Sequence, residues 1–314
     1  MRRAQEGVRR QVTLAALLAA VVILTLTLVS CDNNRGGSNV EGPPRSTIPV
    51  VLEVSQPGTA TVADSRAVLD YSNAKDGYVC VMSNLPDITV KVLVNIMDTE
   101  YQYTIDAPGT YITIPLSEGD GSYSVGVWQN VSGNYYAAVF SQTIDVVLDD
   151  EFRPFLYSNQ YVNFALDDEA TAMSQQVVEG SVTDVDALNN IYLWVCENFD
   201  YDREKAASVA PGYLPDNTST INEKKGICFD YAVLTASMLR AQRIPAKLVI
   251  GYADTAYHAW MEVYCVETGT VIRYAFNGDE WVRMDPTFDA ANDGRNDLLS
   301  VIGNGTNYHP MLYY

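Results

Sequence analysis

The sequence predicts an α+β protein in which a small all-β sandwich precedes a region of helices and antiparallel strands. Three observations carry this. Between about Val50 and Val147, short β-branched and aromatic runs alternate and are separated by turn signals. From Ala165 the pattern turns helical, with apolar residues three and four apart. After Ile244-Pro245, strand-like runs return as "AKLVIGY" and "HAWMEVYC". The 314 residues, 47% of them hydrophobic, suffice for two domains of roughly 100–200 residues each.

Residues 1–31 stand apart from the fold. Arg2, Arg3, Arg9 and Arg10 precede a nearly unbroken apolar or small-residue run from Val12 to Val29, and Leu28-Val29-Ser30-Cys31 closes it. This arrangement resembles a bacterial lipoprotein signal peptide, which implies lipid attachment at the Cys31 thiol. An uncleaved transmembrane anchor is the alternative, since the run approaches the roughly 20 residues that span a bilayer. Either way the remaining chain is expected outside the cytoplasm, held at the cell membrane. Residues 32–49 begin "DNNRGGSNVEGPPRST", polar and rich in Gly and Pro without apolar period, and read as a flexible tether.

Residues 50–150 are the expected sandwich. Its runs are "YVCVMS", "ITVKVLVNI", "YQYTID", "TYITIPL", "YSVGVWQN" and "YYAAVFSQTIDVVL", with turns at Ala107-Pro108-Gly109 and Glu118-Gly119-Asp120-Gly121. No chemical motif falls within them, so a spacer or recognition role is expected. In residues 151–314, the Ala-rich acidic sequence from Ala165 through Val185 predicts helix. The stretch "VDALNNIYLWVCENFDYD" sets Leu188, Ile191, Tyr192, Val195 and Phe199 on one helical face, with Trp194 and Cys196 as packing residues. Residues 202–222 read as a loop turning at Pro211-Gly212 and Pro215-Asp216.

The formal net charge is −19, and it is more negative still without residues 1–30, which carry four arginines and one glutamate. So acidic a surface repels phosphate backbones and disfavours nucleic acid as a partner. The five cysteines are Cys31, Cys80, Cys196, Cys228 and Cys265. With Cys31 assigned to lipid, the remainder do not make a disulfide scaffold; a Cys196–Cys265 bridge and buried free thiols are both open.

Chemistry concentrates in "KKGICFDYAVLTASMLRAQRIPAKLVIGY", residues 224–252. Helical periodicity begins just after Cys228, through Tyr231, Leu234, Thr235, Met238 and Leu239, and Pro245 stops it. Gly226 suits a sharp entry into the helix, so Cys228 falls in the first turn, where unpaired N–H groups and the helix dipole favour a thiolate. For a lone cysteine a buried packing role is the ordinary reading. Cys228 is not alone. His258 opens "HAWMEVYC" and Asp285 ends the run "EWVRMD" before Pro286. If these runs pair antiparallel, the first residue of one lies beside the last of the other, bringing His258 next to Asp285. The connection from Cys265 to Asp279 exceeds a tight hairpin and could break that register. A cysteine nucleophile needs a base, and the base needs a third group to fix its ring. The other histidine, His309, lies in a Gly- and Asn-rich tail without a comparable setting.

Taken in order, Gly226-x-Cys228-x-Asp230-Tyr231-Ala232, Arg240-x-x-x-Ile244-Pro245-Ala246, Gly251-Tyr252, His258-Ala259-Trp260 and Trp281-x-x-x-Asp285-Pro286-Thr287 resemble the core of the transglutaminase-like superfamily. The likeness covers roughly Ile191 to Ala290, and Asn198-Phe199-Asp200-Tyr201 fits the helix before the nucleophile. It implies a papain-like α+β core, a cysteine-bearing helix packed on an antiparallel sheet. It also implies Cys228 as nucleophile, His258 as general base and then acid, and Asp285 as the orienting carboxylate. The implied activity is acyl transfer or hydrolysis on protein or peptide amides through a thioester; a surface location makes proteins or peptidoglycan peptides the expected substrates, and, with no D-x-D-x-D-G loop in the sequence, no metal or cofactor is expected. The Cys228 backbone N–H is one oxyanion donor by position; the second is open among Tyr213, Asn217 and Asn222. The N-terminal part and "PFLYSNQYV" are similar to surface lipoproteins of Gram-positive bacteria that carry this core. A surface binding or attachment lipoprotein that keeps the fold without turnover is the alternative.

Overall fold

Alternating burial builds the sandwich. The computed structural model describes residues 36–38, 40–292 and 307–314. Its first eight strands are β1 (Thr61–Ala63), β2 (Ala67–Asp70), β3 (Tyr78–Ser83), β4 (Val90–Ile96), β5 (Thr99–Ile105), β6 (Tyr111–Pro115), β7 (Gly121–Ser132) and β8 (Tyr135–Val146). They form two four-stranded antiparallel sheets, ordered β1-β2-β3-β6 and β5-β4-β7-β8. Val90, Val92, Val94 and Ile96 of β4, with Tyr101, Tyr103 and Ile105 of β5, point into the core. The strands β1 and β2 match none of the sequence runs, being too short to show alternation.

The second half begins with α1 (Glu169–Val177), α2 (Asp184–Asn198), β9 (Asp200–Tyr201), α3 (Arg203–Ser208), α4 (Asn217–Glu223), β10 (Lys225–Gly226) and α5 (Cys228–Ala241). It continues with β11 (Ala246–Ala253), β12 (Ala256–Val263), β13 (Gly269–Val271), β14 (Tyr274–Phe276), β15 (Val282–Met284), α6 (Pro286–Asn292) and β16 (Tyr308–Tyr313). The main sheet, ordered β15-β12-β11-β16, is antiparallel. From Asp230 to Ala241 every residue of α5 is buried, as expected for a helix enclosed by α1, α2, α6 and the sheet.

Three expectations change here. The helix expected across Ala165–Val185 is interrupted: α1 ends at Val177, Gly180 takes φ 83°, and a new helix starts at Asp184. Thr183 caps it, accepting from the Asp186 N–H while the Asp186 carboxylate accepts from Thr183 N–H at 2.9 Å. The loop expected at 202–222 holds α3 and α4, each opened by an aspartate cap, Asp202 on Lys205 N–H and Asp216 on Ser219 N–H. Helices of one or two turns show no period to read.

The described part of the expected tether is also docked. Gly37 pairs with Thr270, Ser38 N–H donates to Asp186 at 2.6 Å, and Arg45 reaches Asp184 at 2.8 Å and the Gln242 carbonyl at 2.8 Å. Val50 N–H donates to the Ala241 carbonyl at 2.8 Å. Polar contacts hold this strap, so no apolar period announces it. Residues 37–314 form one compact unit. Tyr314 joins its halves: it stacks on Tyr161 at 3.8 Å and meets Tyr101 and Tyr103 edge-on at 5.5 and 6.0 Å.

The apolar run of residues 12–29 and Cys31 lie outside the described residues. Among the described residues no helix is long and apolar enough to cross a membrane.

Candidate active site

The site is assembled at the N-terminus of α5. Lys224 takes a left-handed conformation (φ 52°) at the end of α4, and β10 then runs two residues into the helix. Gly226 does not need a positive φ; it needs space. A Cβ there would stand 2.6 Å from the Asp230 Cβ, so only glycine admits the Asp230 side chain folding back over the turn. That carboxylate accepts the Ile227 N–H at 2.7 Å, satisfying one orphan donor of the helix end. Asp230 is fully buried, ion-paired with Lys205 at 2.9 Å and bonded by the Tyr213 hydroxyl, which itself accepts from Lys205 at 2.6 Å. This brace was not foreseen from the sequence.

Cys228 is the first residue of α5 and half-buried, whereas Cys80, Cys196 and Cys265 are buried and in no disulfide. No bridge joins Cys196 to Cys265. Burial pushes Cys80 up to about 11 and raises Cys265 as well, so both stay protonated near neutrality.

His258 lies on β12, 2% exposed, opposite Gly251 of β11. Its Nε2 is 2.7 Å from Asp285 Oδ2, and the Cys228 side chain is close enough to favour the protonated ring. With Nε2 engaged by the carboxylate, Nδ1 is the nitrogen left for sulfur. Burial alone would depress the imidazole. The charge and hydrogen bond of Asp285, with the Cys228 sulfur, outweigh it and push His258 up to about 10. Burial likewise opposes ionisation of Asp285, yet the facing His258 and hydrogen bonds from His258, Tyr308 and Phe288 hold its carboxyl below the usual range.

The expected pairing of the two runs occurs, with a different register. Strand β12 starts two residues before His258, and β15 pairs Met284 with Met261 and Val282 with Val263. Asp285, one residue past β15, therefore reaches His258 diagonally, not directly across. The long connection does not disturb this, because the β13–β14 hairpin takes up its slack.

The three candidate oxyanion donors lie elsewhere in role. Tyr213 is committed to Asp230, Asn217 to the Asn163 carbonyl and Ser237, and Asn222 to Glu169. Tyr201 was missed. Its backbone pairs with Gly226, and its hydroxyl lies within electrostatic reach of Cys228 and Asp285, which, after burial, add to raising its pKa. The "NFDYD" segment already marked its neighbourhood. Tyr308 was missed too: its hydroxyl donates to Asp285 Oδ2 at 2.6 Å. The strand carrying it includes Pro310, which its edge position tolerates but which obscures the pattern. His309 is exposed and pairs with Tyr252, outside the triad. Among the described residues no group of three or more His, Cys, Asp or Glu could hold a metal ion.

Residues 171–286 match the transglutaminase-like superfamily. A UPF0252 protein of Methanocaldococcus jannaschii is 32% identical over 97 residues, 27% of this chain and 28% of that protein, so the chain spans little more than a quarter of that relative's length. A candidate cysteine protease from Cytophaga hutchinsonii superposes with TM-score 0.38 at 14% identity, covering 80% of this chain and 82% of that one. Red sea bream transglutaminase superposes with TM-score 0.31 at 12% identity over 67% of this chain and 48% of its own. Both superpositions are loose, so the assignment rests on the sequence match, which contains Cys228, His258 and Asp285. Over residues 171–286 the chain is similar to the transglutaminase-like superfamily.

Proposed function

We propose that this protein is a cysteine-dependent acyltransferase or hydrolase acting on protein or peptide amides outside the cytoplasm, anchored to the membrane through lipid on Cys31. One observation carries the catalytic reading: a half-buried cysteine at a helix N-terminus, its sulfur within electrostatic reach of a histidine that a buried aspartate holds at 2.7 Å. The Cys228 thiolate attacks the amide carbonyl, forming the C–S bond and a tetrahedral oxyanion. Cys228 N–H, at the first helical position without an intrahelical acceptor, and the Tyr201 hydroxyl receive that oxyanion. The C–N bond breaks as the His258 imidazolium passes its proton to the leaving amine. The thioester is then attacked by water or an amine, which gives its proton to His258 and releases the thiolate. Tyr252 and Tyr257 are exposed with ring centroids 5.6 Å apart, and Tyr257 is near enough to feel the Cys228 charge. Protein side chains or peptidoglycan peptides are the substrates that a membrane-anchored position would present.

The test is iodoacetamide labelling of the native protein at neutral pH, site by site. Cys228 should react far faster than Cys80, Cys196 or Cys265, and His258→Ala should slow it. Equal sluggishness at all four would favour a binding role. A labelled primary amine offered with a glutamine-containing protein, with ammonia release and peptide cleavage followed separately, divides transfer from hydrolysis. Membrane fractionation that is lost in Cys31→Ala tests the anchor.

A further inference from the structure

Asp285 is not held by His258 alone. Its Oδ2 accepts both His258 Nε2 at 2.7 Å and the Tyr308 hydroxyl at 2.6 Å, while Oδ1 accepts the Phe288 N–H at 3.0 Å. The Tyr308 ring is fixed in turn, edge-on to Trp260 at 4.9 Å, with the Arg283 guanidinium 4.1 Å over its face. Burial and the adjacent Asp285 charge raise the phenol well above its ordinary range, so it remains a donor at any working pH.

The strand that brings Tyr308 has been fitted closely to the site. At Gly251, opposite His258, a Cβ would stand 2.2 Å from the His309 carbonyl and 3.0 Å from Pro310 Cα. Glycine there lets β16 lie against β11, with a register shift between Ile250 and Gly251. The phenol arrives from a segment well beyond the family-matched residues 171–286.

We propose that Tyr308 is a positioning residue of the triad, its hydroxyl fixing the Asp285 carboxylate in the orientation that His258 requires. This rests on the catalytic reading above. Without the hydroxyl, Asp285 would keep its burial with one donor fewer, and its protonation would begin at higher pH. A protonated Asp285 no longer supports the imidazolium beside the attacking sulfur. The other groups near Asp285 are Tyr201 on β9, Tyr274 on β14 and Asp289 on α6, the last paired with Arg273 and Tyr192, while Arg283 on β15 lies over the Tyr308 ring and Cys228 on α5 lies beyond His258. None of them replaces a donor on Oδ2.

The experiment is the pH profile of Cys228 alkylation by iodoacetamide in the full chain, for wild type, Tyr308→Phe, Tyr308→Gln and His258→Ala. Tyr308→Phe keeps the ring contacts; it should move the acid limb up by about one pH unit, which on that limb is about tenfold slower alkylation. Tyr308→Gln, a donor without the ring, should recover part of that loss. A wild-type acid limb in Tyr308→Phe overturns the proposal. So does a Tyr308→Gln profile slower than that of Tyr308→Phe at every pH, which would assign the effect to ring packing. If wild-type Cys228 is no more reactive than the buried cysteines, or His258→Ala leaves it unchanged, the catalytic reading itself fails, a result separable from the other two. Should Tyr308→Phe not fold, the Tyr308→Gln profile alone decides: an acid limb moved up with the plateau unchanged supports the hydrogen bond, and a wild-type limb or slowing at every pH opposes it.

Discussion

The imidazole of His258 sits between a sulfur and a carboxylate with almost no water, and its proton affinity decides what the site does at each pH. Because its folded pKa, about 10, lies above the ordinary 6.5, its contribution to stability is fully present below 6.5 and is lost as pH rises through about 10. On the proposed mechanism, the same deprotonation removes the acid that protonates the leaving amine but not the sulfur that alkylation reads. Turnover of an amide substrate should therefore fall above about pH 10, whereas iodoacetamide alkylation of Cys228 should not; parallel decline of both would contradict the assignment. His258→Ala should lower turnover by about 10²–10⁴-fold, the usual worth of a positioned acid–base group. The placement of Cys228 in the first turn of α5 and of His258 beside Asp285 was legible in the sequence, each sitting at the edge of an element with a motif around it. Tyr201 and Tyr308 were not, since a tyrosine in a protein with 21 of them announces nothing until the backbone brings its hydroxyl to the site.

At the scale of elements, α5 and β11–β12 were readable because long buried elements impose a period on their residues. The short pieces were not: α3, α4, β1 and β2 are fixed by caps and by neighbours. The turn before α5 shows how closely an element's end is specified. Gly226→Ala would drive a methyl into Asp230, 2.6 Å away, and either displace the carboxylate from Ile227 N–H or move Cys228. Overpacking of this kind costs about 1–3 kcal/mol. Denaturant unfolding should register that loss, and Cys228 alkylation should slow; an unchanged alkylation rate would mean that the turn tolerates the shift without moving sulfur. Asp230→Ala removes the partner of Lys205 and the acceptor for Tyr213 in a buried setting. A cost of about 2–4 kcal/mol is expected, less than for a fully enclosed pair because Lys205 is partly exposed.

Over the whole molecule, the sequence divided the chain at about residue 150, and the structure joins what that division separated. The sequence could not reveal this because the joints are polar strap contacts, aromatic edges and one buried cation, none with a period. Arg240, 1% exposed, donates to the carbonyls of Ala246, Tyr157 and Tyr314. These belong to the start of β11, to the segment after the sandwich and to the residue following β16. A single guanidinium thus fixes the Cys228 helix to the sheet and to the strand that carries Tyr308. Its fork geometry reaches three segments at once, which an ammonium on a flexible stem does not reproduce. Arg240→Ala would leave those carbonyls without a charged donor in a dry interior, at roughly 3–5 kcal/mol. Arg240→Lys should recover little of it. If the unfolding midpoint of Arg240→Lys matched wild type, the cation's charge and not its geometry would be holding the segments together, and the Tyr308 strand would need another explanation for its fixed place.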